Sequence, residues 1–262
     1  MQGLSQNRFA CIGLSVAVAA GLIGVLSAAV TPGEWVGLLL LDRNVPELQV
    51  FPYPFTIQNL MTLLFAAGVG DIVYRRGAAA VEGVASTARI LPEDDRTVLV
   101  GSDLGPIRRS ALEGAQTRGS FLAQIVDQCV LCFHANQATD QTHQILTSLV
   151  DHELHRVDLR YTLLRYLAWL IPTMGFIGTV VGIAGALSVI QGAGEDLSSK
   201  TGEITASLST AFYSTILALC QSAILVLLTQ FTQTSEEEAI NRSSDYCLRN
   251  LVNRLYVPQA VK

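Results

Sequence analysis

The feature that most constrains this chain is a pair of long segments without any charged residue. Residues 166–194 carry no charge over 29 positions, and residues 204–235 carry none over 32. Each is longer than the roughly 20 apolar residues that cross the hydrocarbon core of a bilayer. The residues between them, from Glu195 to Glu203, are too polar to lie in lipid. We therefore predict a transmembrane helical hairpin.

The facing sides of the two predicted helices are built from small residues. On the first helix they recur at steps of three and four, which places them on one face: Gly175, Gly178, Gly182 and Gly185. The second helix carries a matching stripe of small and hydroxylated residues: Ser207, Ala211, Ser214, Thr215, Ala218 and Ser222. Small residues let helix backbones approach closely, and hydroxyl groups can hydrogen-bond across the contact. The pattern predicts close packing of the two spans.

Two further uncharged segments precede the hairpin. Residues 9–33 follow Arg8, and residues 48–70 end at Asp71. A signal peptide is the alternative for the first segment, because Ser27-Ala28-Ala29 resembles a cleavage site. The apolar run is longer than a typical signal core, however, which favours a retained helix. Residues 32–55, where these segments approach each other, contain four prolines and several charges, and we interpret them as a linker outside the membrane.

The arginines set the predicted orientation. They cluster beside the ends of the spans that we assign to the cytoplasm: Arg8, Arg75, Arg76, Arg156, Arg160, Arg165, Arg242, Arg249 and Arg254. The external segments contain only two basic residues, Arg43 and Lys200. The resulting fold class is an all-α membrane protein with four transmembrane helices and long cytoplasmic helical extensions. Both termini are predicted to be cytoplasmic.

The domain organisation follows from these segments. We predict an N-terminal pair of helices with an external linker at residues 1–76, with spans at about 9–31 and 52–74, and a cytoplasmic helical region at residues 77–160. The core hairpin follows at residues 161–235, with spans at about 166–192 and 204–231, and a cytoplasmic C-terminal helix at residues 236–262. Apolar residues recur at helical spacing between positions 107 and 165, which predicts a long amphipathic helix. A break near residues 135–140 is also compatible with this pattern.

The candidates for metal binding and catalysis are weak. His134, His143, His152 and His155 suggest a metal site, since His152 and His155 could share a helix face, but a solvated face near the membrane surface is the favoured interpretation. Cys129 and Cys132 lack the second pair or the histidine spacing of a zinc site, so we interpret them as buried helix residues. No arrangement supports nucleophilic catalysis, and neither an enzyme nor a cofactor is predicted. The net charge of −5 provides no basic surface for nucleic acid.

The two core spans contain no ionisable side chain of the kind that marks ion pathways in membranes. The acid nearest to any span is Asp71, which we interpret as an interfacial charge rather than a proton carrier. Thr179 and Thr215 can hydrogen-bond a carboxylate, a water molecule or an ion, but neither titrates. If the complex carries H⁺ or Na⁺, the carboxylate would have to come from another subunit.

The hairpin also carries a resemblance to a known family. A segment of the first helix resembles the signature of the MotA/TolQ/ExbB proton-channel superfamily: Ile171-Pro172-Thr173-Met174-Gly175-Phe176-Ile177-Gly178-Thr179-Val180-Val181-Gly182-Ile183. The second helix is similar to a segment of that family that is rich in alanine and leucine around one central threonine. The matching residues are Leu208-Ser209-Thr210-Ala211-Phe212-Tyr213-Ser214-Thr215-Ile216-Leu217-Ala218-Leu219. The match covers about a quarter of the chain.

The resemblance implies a pore-forming subunit of an ion-driven motor in the bacterial inner membrane. It implies a pentamer around a single-span partner of the MotB/TolR/ExbD type, whose transmembrane Asp carries the ion while one component rotates. Five residues would then face the ion pathway and the partner: Thr179, Thr215, Ser214, Ala211 and Ala218. Pro172 would loosen the third helix, and Gly175, Gly178, Gly182 and Gly185 would pack it.

Several alternatives remain open at this level. The two threonines could be packing residues that bond to the preceding helical turn. The chain could also be a non-conducting scaffold or signalling subunit that uses the same small-residue faces for assembly. Within the family, flagellar, Tol/Exb-like, gliding, secretion and phage-defence branches all fit the sequence.

Overall fold

The structure is a computed structural model, and it describes residues 2–31, 34–42, 53–86, 91–94, 98–118, 120–192 and 197–256. Most of the predicted external linker, at residues 43–52, and the tip of the predicted hairpin, at residues 193–196, lie outside the described residues. The described chain is helical: α1 (Gln2–Ala29), α2 (Trp35–Leu41), α3 (Ile57–Ser86), α4 (Leu104–Arg118), α5 (Phe121–Asn136), α6 (Thr139–Arg160), α7 (Thr162–Gly192), α8 (Leu197–Asn250) and a short 3₁₀ helix (Val252–Arg254).

Four helical segments of the described chain are long and apolar enough to cross a membrane: Arg8–Ala29, Ile57–Gly77, Thr139–Gly192 and Lys200–Arg254. The last two ranges are far longer than a bilayer requires, so only part of each can lie in lipid. No strand occurs among the described residues, where the sole β-type pairing is an isolated bridge between Leu99 and Leu255. The predicted class, an all-α membrane protein with four spans, is confirmed.

The chain divides into two compact units, which we describe separately. Unit 1 comprises Met1–Tyr74 and Thr162–Gln230, and unit 2 comprises Arg75–Tyr161 and Phe231–Lys262. In unit 1, helix α1 exposes large apolar side chains on most of its surface: Phe9, Leu14, Val18, Leu22 and Val25 are each more than half exposed. Such a surface is unfavourable in water and suits contact with lipid.

Unit 2 has a conventional buried core. Its apolar side chains come from the segment before α4, from α4 to α6, and from the end of α8: Leu91, Leu99, Leu104, Ile107, Ala111, Leu122, Ile125, Val126, Cys129, Val130, Phe133, Leu146, Cys247, Leu251 and Val252. Helix α5 begins at Ser120, whose hydroxyl accepts a hydrogen bond from the Ala123 amide. It ends at Gln137, which has a left-handed backbone with φ 47°. The chain therefore breaks between α5 and α6 within the interval 135–140.

A buried tyrosine connects three segments of unit 2. The side chain of Tyr161 is fully buried. Its hydroxyl lies 3.0 Å from Oε1 of Glu236, and the guanidinium of Arg75 lies 4.8 Å from its ring centroid. The same guanidinium donates to the carbonyl of Arg160 at 2.8 Å. A cation over an aromatic face and a bonded hydroxyl together hold this tyrosine in one position.

Candidate functional site

The contact between α7 and α8 depends on glycines that leave no space for a side chain. A Cβ atom added to Gly182 would lie 2.7 Å from Cβ of Ala211 and 2.8 Å from the carbonyl oxygen of Ser207. A Cβ atom on Gly178 would lie 2.5 Å from Oγ of Ser214. Real Cβ atoms do not approach other atoms so closely, so the two backbones are already in contact. The small-residue stripes of the sequence therefore meet each other within one chain.

This packing changes the interpretation of three residues that we predicted to face a partner. Ala211, Ser214 and Ala218 are all fully buried, and α7 of the same chain covers them. Periodicity shows which residues share a helix face, but it does not show which neighbour covers that face. A Cβ on Gly175 would meet Cβ of Ala218, whereas Gly185 is half-buried further along α7.

Thr179 and Thr215 come together at this contact. Their hydroxyl groups are hydrogen-bonded to each other, and both side chains are half-buried. Oγ1 of Thr179 lies 3.3 Å from the carbonyl oxygen of Gly175 and 3.2 Å from that of Ala211. Oγ1 of Thr215 lies 3.3 Å from each of the same two carbonyl oxygens. We call these four groups the hydroxyl pair and its two carbonyls.

The number of protons in this cluster limits what it can bind. A fifth oxygen lies with these four, because Oγ of Ser214 donates to the Ala211 carbonyl at 2.9 Å, so three hydroxyls supply three protons to five oxygen atoms. One proton serves the bond between the two threonine hydroxyls, one can serve the Gly175 carbonyl, and that of Ser214 serves the Ala211 carbonyl. The cluster therefore has more acceptors than donors. It fits a ligand that donates a proton, such as a protonated carboxyl or water, or a cation that takes oxygen ligands.

Pro172 lies inside α7, and its effect on the backbone is compensated from α8. Proline has no N–H group, so the carbonyl of the residue four positions earlier, Ala168, loses its usual helical partner. In the structure Oγ of Ser222 donates to this carbonyl at 2.8 Å. Serine side chains of neighbouring helices commonly satisfy backbone groups that proline frees in membranes. Ser222 thus allows Pro172 to stay within a continuous helix.

A second face of α8 carries strongly polar contacts to α2 and α3. Near the start of α8, Oγ1 of Thr210 donates to Oδ1 of Asp42 at 3.0 Å. Eleven residues further on, Nε2 of Gln221 donates to Oγ1 of Thr62 at 3.1 Å. The hydroxyl of Thr62 gives its only proton to the backbone carbonyl of Gln58 at 2.9 Å, so the amide nitrogen of Gln221 has to be the atom that faces it.

Three carboxamide atoms, on Gln58 of α3 and Gln221 of α8, lack hydrogen-bond partners within the described structure. The side chain of Gln58 is fully buried, and neither its oxygen nor its nitrogen is bonded; the oxygen of Gln221 is also unbonded. Buried polar atoms nearly always have a partner, which is often an ordered water molecule. These atoms therefore indicate a place between α3 and α8 where water can bind.

Asp71 lies in a different environment from the one we predicted. It is 2% exposed, and its carboxylate forms two hydrogen bonds with the guanidinium of Arg8, at 2.6 and 3.2 Å. The sequence suggested an interfacial charge beside Arg75. The structure instead shows a buried ion pair between α1 and α3, with a partner 63 positions away that sequence spacing could not identify.

The other candidates are spread over unit 2. The side chains of all four histidines are exposed: His134, His143, His152 and His155. Cys129 lies in the buried core and Cys132 is half-buried. Within the described ranges, no group of three or more His, Cys, Asp or Glu side chains is placed to hold a metal ion.

Sequence reasoning missed Asp42, Gln58 and Gln221. Asp42 belongs to the proline-rich linker, and only the folded chain brings it to α8. A signal for the two glutamines was present in the sequence, because each interrupts an otherwise apolar predicted span. Strongly polar residues inside a membrane are expensive to bury and often functional.

The comparisons with known proteins give one match. The model of the MotA/TolQ/ExbB proton channel family matches residues 113–244, which include α7 and most of α8. No curated protein and no solved structure matches the chain.

Proposed function

This chain belongs to the MotA/TolQ/ExbB proton channel family, and from that premise we propose that it is the pore-forming subunit of an ion-driven membrane motor. Membership makes it a multi-pass membrane protein of a channel and energy-transducing family rather than of an enzyme class. The proposal adds an assembly, a partner and a conversion of ion-motive force into rotation or mechanical work.

The proposed assembly is a homopentamer around a single-span partner of the MotB/TolR/ExbD type. Support comes from α7, where large apolar side chains at helical spacing are exposed on the surface of the chain: Phe176, Val180, Ile183 and Leu187. Such a face can contact lipid or another subunit. Since Ala211, Ser214 and Ala218 are buried within the chain, we assign them to the packing of α7 against α8 rather than to contact with the partner.

The hydroxyl pair of Thr179 and Thr215 carries the mechanistic part of the proposal. It is half-buried, and its oxygen cluster has more acceptors than donors. We assign it the task of receiving the ion-carrying carboxyl of the partner, in its protonated form or with a bound cation. The core spans contain no acid of their own, so the hydroxyl pair stabilises an ion that the partner carries. The transported ion is H⁺ or Na⁺, and the chain requires no cofactor.

The proposed location is the bacterial inner membrane, with both termini in the cytoplasm. Arginines at the end of the apolar part of α3 and near the start of α7 support this orientation: Arg75, Arg76 and Arg165. On this orientation the start of α7 and the end of α3 lie on the inner side. The start of α8 and the short helix α2 lie on the outer side.

The test of this function is the loss of one hydroxyl at a time. Thr179→Val and Thr215→Val keep the shape of the side chain but remove an oxygen that accepts from the partner's protonated carboxyl or binds its cation, and a buried group left without its partner costs about 1–3 kcal/mol. We therefore expect ion flux to fall roughly ten- to a hundredfold. Thr179→Ser and Thr215→Ser keep the hydroxyl and should retain most of the flux. The assay is ion flux into proteoliposomes that contain the chain with its partner.

The control is assembly, measured by native mass spectrometry of each variant at matched expression. Intact oligomers with reduced flux in the Val variants would support the ion-pathway role. Wild-type flux in both Val variants would make Thr179 and Thr215 packing residues only. If the wild-type complex itself conducts no ion, the scaffold interpretation replaces the motor.

A further inference from the structure

The backbone of Asp42 is held in a fixed position at the end of α2. Asp42 follows the last residue of that helix and has a left-handed conformation, with φ 52° and ψ 41°. Its N–H donates to the carbonyl of Gly37. The carbonyl of the preceding residue, Leu41, accepts a hydrogen bond from Oγ1 of Thr56 at 3.1 Å. These bonds attach the end of α2 to the start of α3.

The side chain of Asp42 is buried without a basic partner among the described residues. It is 6% exposed, and Oδ1 accepts a hydrogen bond from Oγ1 of Thr210 on α8 at 3.0 Å. Asp71, the other buried acid of unit 1, has the guanidinium of Arg8 beside it. Burial of a carboxylate without a counter-charge disfavours its ionised form. Asp42 therefore differs from Asp71 in its surroundings: a hydroxyl group, and not a guanidinium, lies beside its carboxyl.

The electrostatic environment agrees with this geometry. Burial raises the pKa of Asp42 from 3.8 to about 6, and the hydrogen bond from Thr210 lowers the pKa by a smaller amount. On α8 the charged residue on the same face is Glu203, seven residues or about 10 Å before Thr210, and it is paired with Lys200. On α2 the charged residue is Glu34, which is exposed at the other end of the helix.

The remaining charges near this segment are distant from Asp42 or lie outside the described residues. On α1 the described charged side chain is Arg8, and on the membrane part of α3 the first one is Asp71; these two pair with each other. Asp71 is 14 residues, or about 21 Å of helix, beyond the start of α3. Arg43 and Glu47 lie outside the described residues.

We propose that Asp42 is a proton-binding site of this chain at the outer end of α8, where Thr210 positions its carboxyl and protons enter the complex. The carboxylate takes a proton from a hydronium ion, which leaves water, and later returns it to a water molecule. No bond other than O–H forms or breaks. The role as an entrance depends on the proposed function, whereas the binding of the proton does not.

The polar face of α8 continues inward from this carboxyl. On the face that contacts α2 and α3, Gln221 follows Thr210 by three turns. Its unbonded oxygen provides a site for water about 16 Å along α8 from Thr210, and the unbonded carboxamide of Gln58, one turn before Thr62 on α3, provides another. The proton that Asp42 releases goes to a water molecule in direct contact with its carboxyl, and water held near Gln221 receives it through a chain of hydrogen-bonded water molecules.

The primary experiment is an infrared titration of the full chain in lipid nanodiscs. We expect the C=O absorption of one buried carboxylic acid to disappear with a midpoint near pH 6, and to be absent in Asp42→Asn. Thr210→Val should raise the midpoint, because the lost hydrogen bond favoured the ionised form. Glu34→Gln is the matched control on the same helix and should leave the signal in place. An identical titration in Asp42→Asn and the wild type would overturn the proposal.

Stability provides a second readout with a defined sign. The folded chain holds the Asp42 proton more tightly than the unfolded chain, whose pKa is close to 3.8. Its contribution to stability is therefore complete below pH 3.8 and is lost as the pH rises to about 6 and beyond. In Asp42→Asn this component should vanish from the pH profile of the melting temperature. An unchanged profile would contradict a protonated Asp42 in the folded chain.

Ion flux separates this proposal from the motor itself. In complexes that conduct, Asp42→Asn should lower proton flux by at least about tenfold, as expected for loss of a positioned acid or base. Wild-type flux in this variant would refute the entrance role. If the wild-type complex does not conduct, the motor fails, and the infrared titration alone decides whether Asp42 binds a proton.

Discussion

The bond between Ser222 and the Ala168 carbonyl predicts a mutation whose cost depends on a second residue. Ser222→Ala removes the donor, and Pro172 prevents the backbone of α7 from supplying another. We expect Ser222→Ala to destabilise the chain while residue 172 is proline. In a Pro172→Ala background, the new N–H of residue 172 can donate to Ala168, so Ser222→Ala should cost much less.

The magnitude follows from what each variant leaves unsatisfied. A buried acceptor without a partner costs about 1–3 kcal/mol. Interhelical hydrogen bonds measured in membranes average about 0.6 kcal/mol, with a maximum of about 1.7. Ser222 is half-buried, and its bond to Ala168 is short at 2.8 Å, so we expect about 1–1.5 kcal/mol in the Pro172 background. In the Pro172→Ala background we expect less than about 0.5 kcal/mol, which leaves a coupling energy of about 1 kcal/mol.

The assay is a double-mutant cycle of reversible unfolding in detergent, followed by tryptophan fluorescence. Trp169 is adjacent to Ala168 on α7 and reports on this part of the helix. Ser222→Thr is the matched control, because it keeps a hydroxyl that can reach the same carbonyl. Equal costs of Ser222→Ala in both backgrounds would refute the compensation, since the loss would then arise from packing rather than from the carbonyl that Pro172 frees.

Two further predictions concern the packing of unit 1. Gly182→Ala should destabilise the chain by about 1–3 kcal/mol, because the new methyl group meets backbone rather than a flexible side chain; Gly24→Ala, which meets nothing within 4 Å, should show no loss in the same unfolding assay. Asp71→Asn should lower the free energy of unfolding by about 3 kcal/mol, because it leaves Arg8 without its partner. The control is Glu238→Gln, which removes an exposed ion pair and should lower it by less than about 1 kcal/mol. Equal losses in the two variants would argue against a buried ion pair.

Much of the fold could be predicted because membrane helices are specified locally. A stretch such as residues 204–235 has to be helical in lipid, since every backbone N–H and C=O group needs an internal partner there. Continuity was harder to predict. We predicted the second span to end near residue 74 and a separate cytoplasmic region to begin at residue 77, but one helix, α3, continues from Ile57 to Ser86. No proline interrupts that stretch, so the helix can continue past the end of its apolar part.

The candidate site was predictable where it depends on helix periodicity and not where it depends on contacts between distant segments. The meeting of Thr179 with Thr215 follows from small-residue faces that the sequence displays. The contact of Asp42 with Thr210 joins residues 168 positions apart. It is specified by the left-handed end of α2 and by the bond from Thr56, neither of which has a periodic signature in the sequence.

The distribution of polar groups along α8 shows how the two proposals complement each other. The middle of the α7–α8 contact offers only neutral oxygen atoms, from Thr179, Thr215 and two backbone carbonyls. Such groups are less costly to bury than charges, but a hydroxyl cannot hold a proton through a cycle because it does not titrate. On our second proposal the titrating carboxyl is that of Asp42, which contacts Thr210 about 20 Å after the start of α8 and is fixed by its own backbone. A fixed carboxyl can collect a proton at that end but cannot carry it past the middle of the contact. On our proposals this chain therefore supplies the entrance and the neutral ligands, and the group that moves with the ion has to belong to the partner.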